Sequence, residues 1–234
     1  MRSLVCGDIH NEIDLVDIII KNNDHKYDEI IFLGDYFDSY FDNIEHAERT
    51  AYWLKEKLEN PRYIFIFGNH DMHYRFFRNK YILGSGYSRN KADAINKIMK
   101  IEDWDKLKFF HYSQNFLFSH AGINENTLHP LNGFDLTYLE KLCRDDFIKL
   151  GFGNHSNSFS PGIGRGGFLK KGGITWQDWS VEFVPIRNLN QIVGHTHSDS
   201  LRYKCYNNSI NVNVDCLPNY LLEIDNGKLK EIRL

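Results

Sequence analysis

Cysteine is scarce in this chain: Cys6, Cys143, Cys205 and Cys216 are the four among 234 residues. Their scattered spacing excludes a zinc-type cluster and a disulfide framework, so free thiols in a reducing compartment are expected. Cys205 and Cys216 fall in neighbouring predicted strands and are the one pair within reach of a bridge. Long apolar runs are missing too. None approaches the ~20 residues of a membrane-spanning helix. A first strand beginning by Ser3 or Leu4 leaves no room for a signal peptide. A cytoplasmic protein without a membrane partner is therefore expected. Charge of one sign is also lacking. A net charge of -3 and a pI near 6.4 give no broad attraction for nucleic acid. No internal repeat or low-complexity tract is visible.

What the chain does have is core-forming material and a set of recurring polar motifs. At 42% hydrophobic over 234 residues it can form one domain spanning 1–234. Five motifs punctuate it: Gly7-Asp8-Ile9-His10, Gly34-Asp35-Tyr36-Phe37-Asp38, Gly68-Asn69-His70-Asp71, Ser119-His120-Ala121-Gly122 and Gly194-His195-Thr196-His197. Each follows a short apolar run, such as Ile30-Ile31-Phe32-Leu33 or Phe116-Leu117-Phe118. Apolar runs this short, bounded by Gly, read as buried strands. Asp, Asn and His are thus delivered repeatedly to strand C-terminal ends, where open α/β sheets place ligand sites. These side chains are oxygen and imidazole ligands for divalent metals. The histidines outside the motifs (His25, His46, His73, His111, His129 and His155) have no such company and read as structural. Of these, His73 follows the third motif most closely.

The first third alternates strand and helix. Strands at 3–6, 29–33 and 62–67 are separated by helices at about 12–22 and 43–58, which predicts parallel strands with helical crossovers. Residues 91–99 read as a helix, 107–119 as two strands with a turn at Ser113-Gln114-Asn115, and 135–149 as a helix. His70 is expected in a loop. The run from Gly151 to Gly173, rich in Gly, Ser and Asn, predicts an irregular and mobile segment. Together with its flanks it forms an expected loop-rich cap at about 124–180. The tail returns to short strands, with hairpin signals at Asn207-Asn208 and Asp225-Asn226-Gly227.

This set of motifs, in this order, resembles the calcineurin-like metallophosphoesterase superfamily, and leans toward its serine/threonine phosphoprotein phosphatase-like branch. The resemblance spans residues 7–197. It implies an α/β fold of two packed mixed β-sheets flanked by helices, a four-layer α/β/β/α sandwich. It also implies two divalent transition-metal ions, manganese first, with Fe, Zn, Ni or Co as alternatives. By the same resemblance Asp35 bridges the ions. Asp8, His10 and His197 complete one metal, and Asn69, His120 and His195 the other. His70 would protonate the leaving alcohol and Asp38 would orient it, with Asp71 as the other carboxylate in reach.

The implied activity is phosphate-ester hydrolysis by in-line attack of a metal-bridging water. Two departures bear on the substrate. Ser39 stands where phosphoprotein phosphatases carry Arg, and Asp71 where they carry Glu. Against these, Gly164-Arg165-Gly166-Gly167 followed by Thr175-Trp176-Gln177-Asp178 resembles a phosphatase stretch and makes Arg165 the candidate phosphate clamp, with Arg75 and Arg89 behind it. A phosphomonoesterase is therefore favoured over a phosphodiesterase or nucleotide hydrolase. The substrate would be a phosphorylated small molecule, a nucleotide or a phosphoprotein. A scaffold member without catalysis would show gaps in the ligand set, and none is found.

Overall fold

The computed structural model describes all residues 1–234. The βαβαβ start is formed by β1 (Arg2–Cys6), α1 (Ile13–Asn23), β2 (Glu29–Phe32), α2 (Ile44–Lys57) and β3 (Tyr63–Phe65). Helix α1 buries Ile13, Val16, Ile19 and Ile20, an apolar stripe at helical spacing, while Asp17 faces solvent. Asn43 caps α2, its side chain accepting the His46 N–H at 3.0 Å. Three helices follow: α3 (Asn69–Arg75), α4 (Arg89–Ile98) and α5 (Ile101–Trp104). After them come β4 (Phe110–Ser113), β5 (Phe116–Ser119) and α6 (Leu136–Gly151). The chain closes with β6 (Asn190–Val193), β7 (Arg202–Tyr206), β8 (Ser209–Asn213), β9 (Tyr220–Asp225) and β10 (Lys228–Arg233).

The strands make two mixed five-stranded sheets, in the orders β10-β9-β1-β2-β3 and β4-β5-β6-β8-β7. In the first, β1, β2 and β3 run parallel while β9 and β10 are antiparallel. In the second, β5, β6 and β8 run parallel between antiparallel edges β4 and β7. One apolar cluster joins them: Val5, Ile31 and Leu33 from one side meet Phe116, Phe118, Ile192 and Val212 from the other. The alternate residues of the first sheet, Leu4, Cys6, Ile30 and Phe32, face a larger cluster with Val16, Ile20, Ala51 and Leu54 of the crossover helices. The expected α/β architecture of two packed sheets flanked by helices is the observed one.

Turn chemistry sets the hairpins. Asn207 and Asn208 link β7 to β8 with φ of 42° and 62°, and Asn226 and Gly227 link β9 to β10 with φ of 48° and 79°. Paired left-handed residues of this kind match the right-handed twist of the strands. One feature differs from expectation. Asn69 and His70 begin a helix rather than lying in a loop. The stretch after α6 is irregular, as expected, and partly buried. Ser156, Ser158, Phe159 and Ser160 are buried, and Ser158 and Ser160 carbonyls accept from Ile174 and Gly173 at 2.8 and 3.0 Å. Its middle, including Ile163 and Phe168, is exposed. All four cysteines are free, so the bridge between Cys205 and Cys216 is not formed. No helix is long and apolar enough to cross a membrane.

Candidate metal centre

The C-terminal ends of β1, β2, β5 and β6 and the start of α3 carry the motif side chains. Close approach explains the glycines between strand and donor. A Cβ on Gly68 would collide with the side chain and backbone nitrogen of Asp35, and one on Gly194 would collide with Asp8 Oδ1. The donors themselves turn sharply out of their strands. His10, Asp35, Asp38 and His195 have φ of 45°, 50°, 66° and 68°.

Two groups of donor atoms that share Asp35 result, each with its members within 4.8 Å of one another; a third, Asp38 with His70 and His73, lies apart from them. Of the two that share Asp35, one is Asp8, His10 and Asp35; the other is Asp35, His120 and His195. His10 Nδ1 donates to the Asp38 carbonyl at 2.6 Å, which leaves Nε2 as an acceptor 4.0 Å from both Asp8 Oδ2 and Asp35 Oδ2. His120 Nδ1 donates to the Leu33 carbonyl at 2.8 Å. Its Nε2 then faces Asn69 Oδ1 at 3.0 Å, His195 Nδ1 at 3.1 Å and Asp35 Oδ2 at 3.3 Å. An unprotonated imidazole nitrogen facing other acceptors needs a cation between them, either a proton or a metal ion. His195 Nε2 is buried with no partner. The donor set therefore fits divalent transition metals, with roughly 2.0–2.2 Å bonds to nitrogen and carboxylate oxygen.

The electrostatics carry the same demand for positive charge. Burial disfavours a charged His120, yet Asp35 and Asp8 outweigh it and raise its pKa to about 10. Burial would likewise raise Asp35, but His120 and His70 hold it well below the usual carboxylate range. Burial and the neighbouring Asp215 push Asp8 upward. Burial, His120 and Arg165 push His195 well down. Carboxylates and imidazoles are thus concentrated where water is excluded, and a bound cation relieves their mutual cost.

Asp38 lies outside the two groups that share Asp35. Its Oδ2 accepts from His70 Nδ1 at 2.8 Å. Asp71 does not reach His70. Its two oxygens accept the backbone N–H groups of Asp35, Tyr36 and Gly68 at 2.8, 2.9 and 2.8 Å, so it ties motif three to motif two. Its pKa is pushed up to about 7 by burial and by Asp35. Arg165 stands at the rim. Its guanidinium meets Asp178 Oδ2 at 2.9 Å, Thr196 Oγ1 at 3.0 Å and the His195 carbonyl at 3.4 Å. The Trp176 ring is 5.7 Å from that of His195. Arg75 and Arg89 are engaged elsewhere, with Asp105 and Asp93. Of the aromatics after Asp35, Tyr36 and Phe37 are core, while Tyr40 and Phe41 are exposed.

Of the sequence-predicted ligands, Asp8, His10, Asp35, Asn69, His120 and His195 come together. His197 does not. Its side chain is exposed, and its Nδ1 lies 3.5 Å from Asp215 Oδ1. Asp215, which no motif marked, is buried beside it just past the end of β8. Its position after a strand, like that of the other acids, is the signal that could have found it.

Solved structures share this fold. A cold-active protein-tyrosine phosphatase of a psychrophilic Shewanella superposes with a TM-score of 0.62 at 17% identity, over 98% of this chain and 77% of that one. A protein serine/threonine phosphatase from Saccharomyces cerevisiae gives 0.58 at 12% identity, over 100% and 80%. A metallophosphoesterase from Sphaerobacter thermophilus gives 0.51 at 13%, over 100% and 88%. Comparison with curated protein sequences finds no match. The sequence profile of the calcineurin-like phosphoesterases matches residues 1–199, a span holding every motif described above. The chain belongs to the calcineurin-like phosphoesterase family, metal-dependent hydrolases of phosphate esters.

Proposed function

We propose that this protein is a two-metal phosphomonoesterase of the protein-phosphatase type. The observation that carries the dinuclear reading is Asp35: it is the one residue common to both donor groups, and its Oδ2 faces His10 and His120 alike. Asp8 and His10 would hold one ion, and Asn69, His120 and His195 the other, with Asp35 between. His197 is the proposed further ligand of the first ion, although its approach to Asp215 gives it another partner. Manganese is the first candidate. Bound at these donors, a metal pair supplies Lewis acidity toward phosphate oxygens and activation of water for in-line attack.

The remaining chemistry falls to the chain. Asp38 fixes the His70 ring through Nδ1, which leaves Nε2 to give a proton to the departing oxygen. Asn69 and Arg165 bind the phosphoryl group, Arg165 from the rim where Asp178 and Thr196 hold its guanidinium. The segment at 124–180 is the proposed cap of a single domain, since Arg165 and Trp176 both approach His195 from it. A terminal, dianionic phosphate suits a rim guanidinium better than a diester does, and this supports the monoesterase reading.

The test is a matrix of metal and substrate. Phenyl phosphate and its bis-aryl diester are compared with Mn, Ni, Co, Zn and Mg. The monoester should be turned over faster in Mn. A consistent preference for the diester would instead establish the phosphodiesterase reading, and no turnover with any metal would leave a scaffold.

A further inference from the structure

Asp38 is buried and meets four donors. Oδ2 accepts from His70 Nδ1 at 2.8 Å and His73 Nε2 at 2.9 Å. Oδ1 accepts from Tyr74 Oη and Lys91 Nζ, each at 2.5 Å. Three of these donors come from α3 and the fourth from α4. Gly86 closes the remaining side, where a Cβ would meet Asp38 Oδ2 at 2.9 Å.

Lys91 is the unexpected member. It is only 6% exposed, and lysine is almost never that deep without a paired acid. Its ammonium is shared between Asp38 and Asp42, reaching the Asp42 oxygens at 2.9 and 3.1 Å. A relay of charge-assisted contacts thus runs Asp42, Lys91, Asp38, His70. Two other roles are less consistent with the geometry. Asp38, His70 and His73 could chelate a metal, but the carboxylate already holds a fixed ammonium on its other oxygen. Lys91 could bind phosphate, but its donors are committed to two carboxylates.

We infer that Lys91 is a positioning residue for the proton donor: its ammonium engages one oxygen of Asp38 so that the other stays aligned on His70 Nδ1. With Lys91 removed, Asp38 would keep Tyr74 and His73 but lose the only charged partner on Oδ1, and its carboxylate would be free to swing off the His70 axis. The inference rests on the reading of His70 as general acid.

A double-mutant cycle tests it. Lys91→Met is made alone and together with His70→Ala, and kcat, KM and bound manganese are measured with phenyl phosphate and 4-nitrophenyl phosphate. Lys91→Met alone should lower kcat on phenyl phosphate by about 10- to 100-fold, a fraction of the ~10²–10⁴ that proton donation supplies. The loss should be smaller on 4-nitrophenyl phosphate, whose leaving group needs no proton, with KM and metal content unchanged. In the His70→Ala background the same substitution should change kcat less than about twofold, because the group it serves is gone. If Lys91→Met does not fold, Lys91→Gln is carried through the same cycle, since it keeps a donor and removes the charge. An equal loss with and without His70, or release of a metal ion, would overturn the inference. If His70→Ala itself slowed both substrates equally, the general-acid reading would fall first, and the role of Lys91 with it.

Discussion

Asp35 and Asp38 are three residues apart, both buried and both surrounded by histidines, yet their surroundings are opposite in kind. Around Asp35 the polar atoms crowd one another with no lysine ammonium or arginine guanidinium on the carboxylate: His120 Nε2 looks at Asn69 Oδ1, His195 Nδ1 and Asp35 Oδ2, and only a proton or a bound cation can sit between them. Around Asp38, every contact is a donor meeting an acceptor, and Lys91 brings the cation. The same residue types therefore build two different things. One is a site that must import positive charge, and the other carries its own. Each can be broken separately.

The largest effect should come from Asp35→Asn, which weakens the donor both groups share. Bound metal should fall from two equivalents to one or fewer, with activity down by more than about 10³-fold, since the activation of water and the charge stabilisation go together. Elemental analysis after gel filtration checks it, and two retained equivalents would refute the bridging role. His70→Ala should come next, with both ions kept and a loss of ~10²–10⁴ on phenyl phosphate that shrinks on 4-nitrophenyl phosphate. Asp38→Asn should give a milder form of the same pattern. The two clusters would not be distinct if His70→Ala lowered the metal content.

Chelation should have a smaller, thermodynamic effect. Metal present at about 100 times its dissociation constant stabilises the folded chain by roughly 2.7 kcal/mol, read as a drop in melting temperature on adding EDTA. Lys91→Met should leave that drop in place, whereas Asp35→Asn should abolish most of it.

The smallest effect concerns a buried carboxylate outside both clusters. Glu29 accepts from Ser3 Oγ at 2.6 Å, Ser113 Oγ at 2.8 Å and His111 Nε2 at 3.0 Å. Burial would raise its pKa, but His111 and the two serines outweigh it and hold it below the ordinary value. A lowered folded pKa contributes stability above the unfolded value of roughly 4.3, and the contribution is lost as pH falls through the folded one. Glu29→Gln should therefore cost roughly 1–3 kcal/mol at pH 7 and progressively less below about pH 4. A constant difference in urea midpoints from pH 7 to pH 3 would contradict this.

Most of the donor site was legible because the signal is local: an apolar run, a glycine, then Asp, Asn or His. The hairpins at Asn207-Asn208 and Asn226-Gly227 were legible for the same reason, since each turn specifies its own backbone. Helix α3 was not. It is seven residues long, too short for a clear 3.6-residue pattern, and its first residues are the motif itself. Lys91 was invisible as a partner because Asp38 is 53 positions away. The serines at 156–160 show what composition leaves out. It reads as irregular backbone, and the segment is irregular, but only the backbone bonds to Gly173 and Ile174 show that these serines are inside.

The left-handed backbone at His10, Asp35 and His195 has a kinetic consequence. Each such residue costs an L-amino acid about 1–2 kcal/mol, and the folded chain has already met that cost through the contacts that hold its turns. Donors whose backbone is fixed in this way need to release their protons but not to refold a turn when an ion arrives. Uptake of manganese by the metal-free protein should then be a single bimolecular event, with an observed rate that climbs linearly with ion concentration. A plateau in stopped-flow traces would mean that the chain, rather than the encounter, sets the pace of loading.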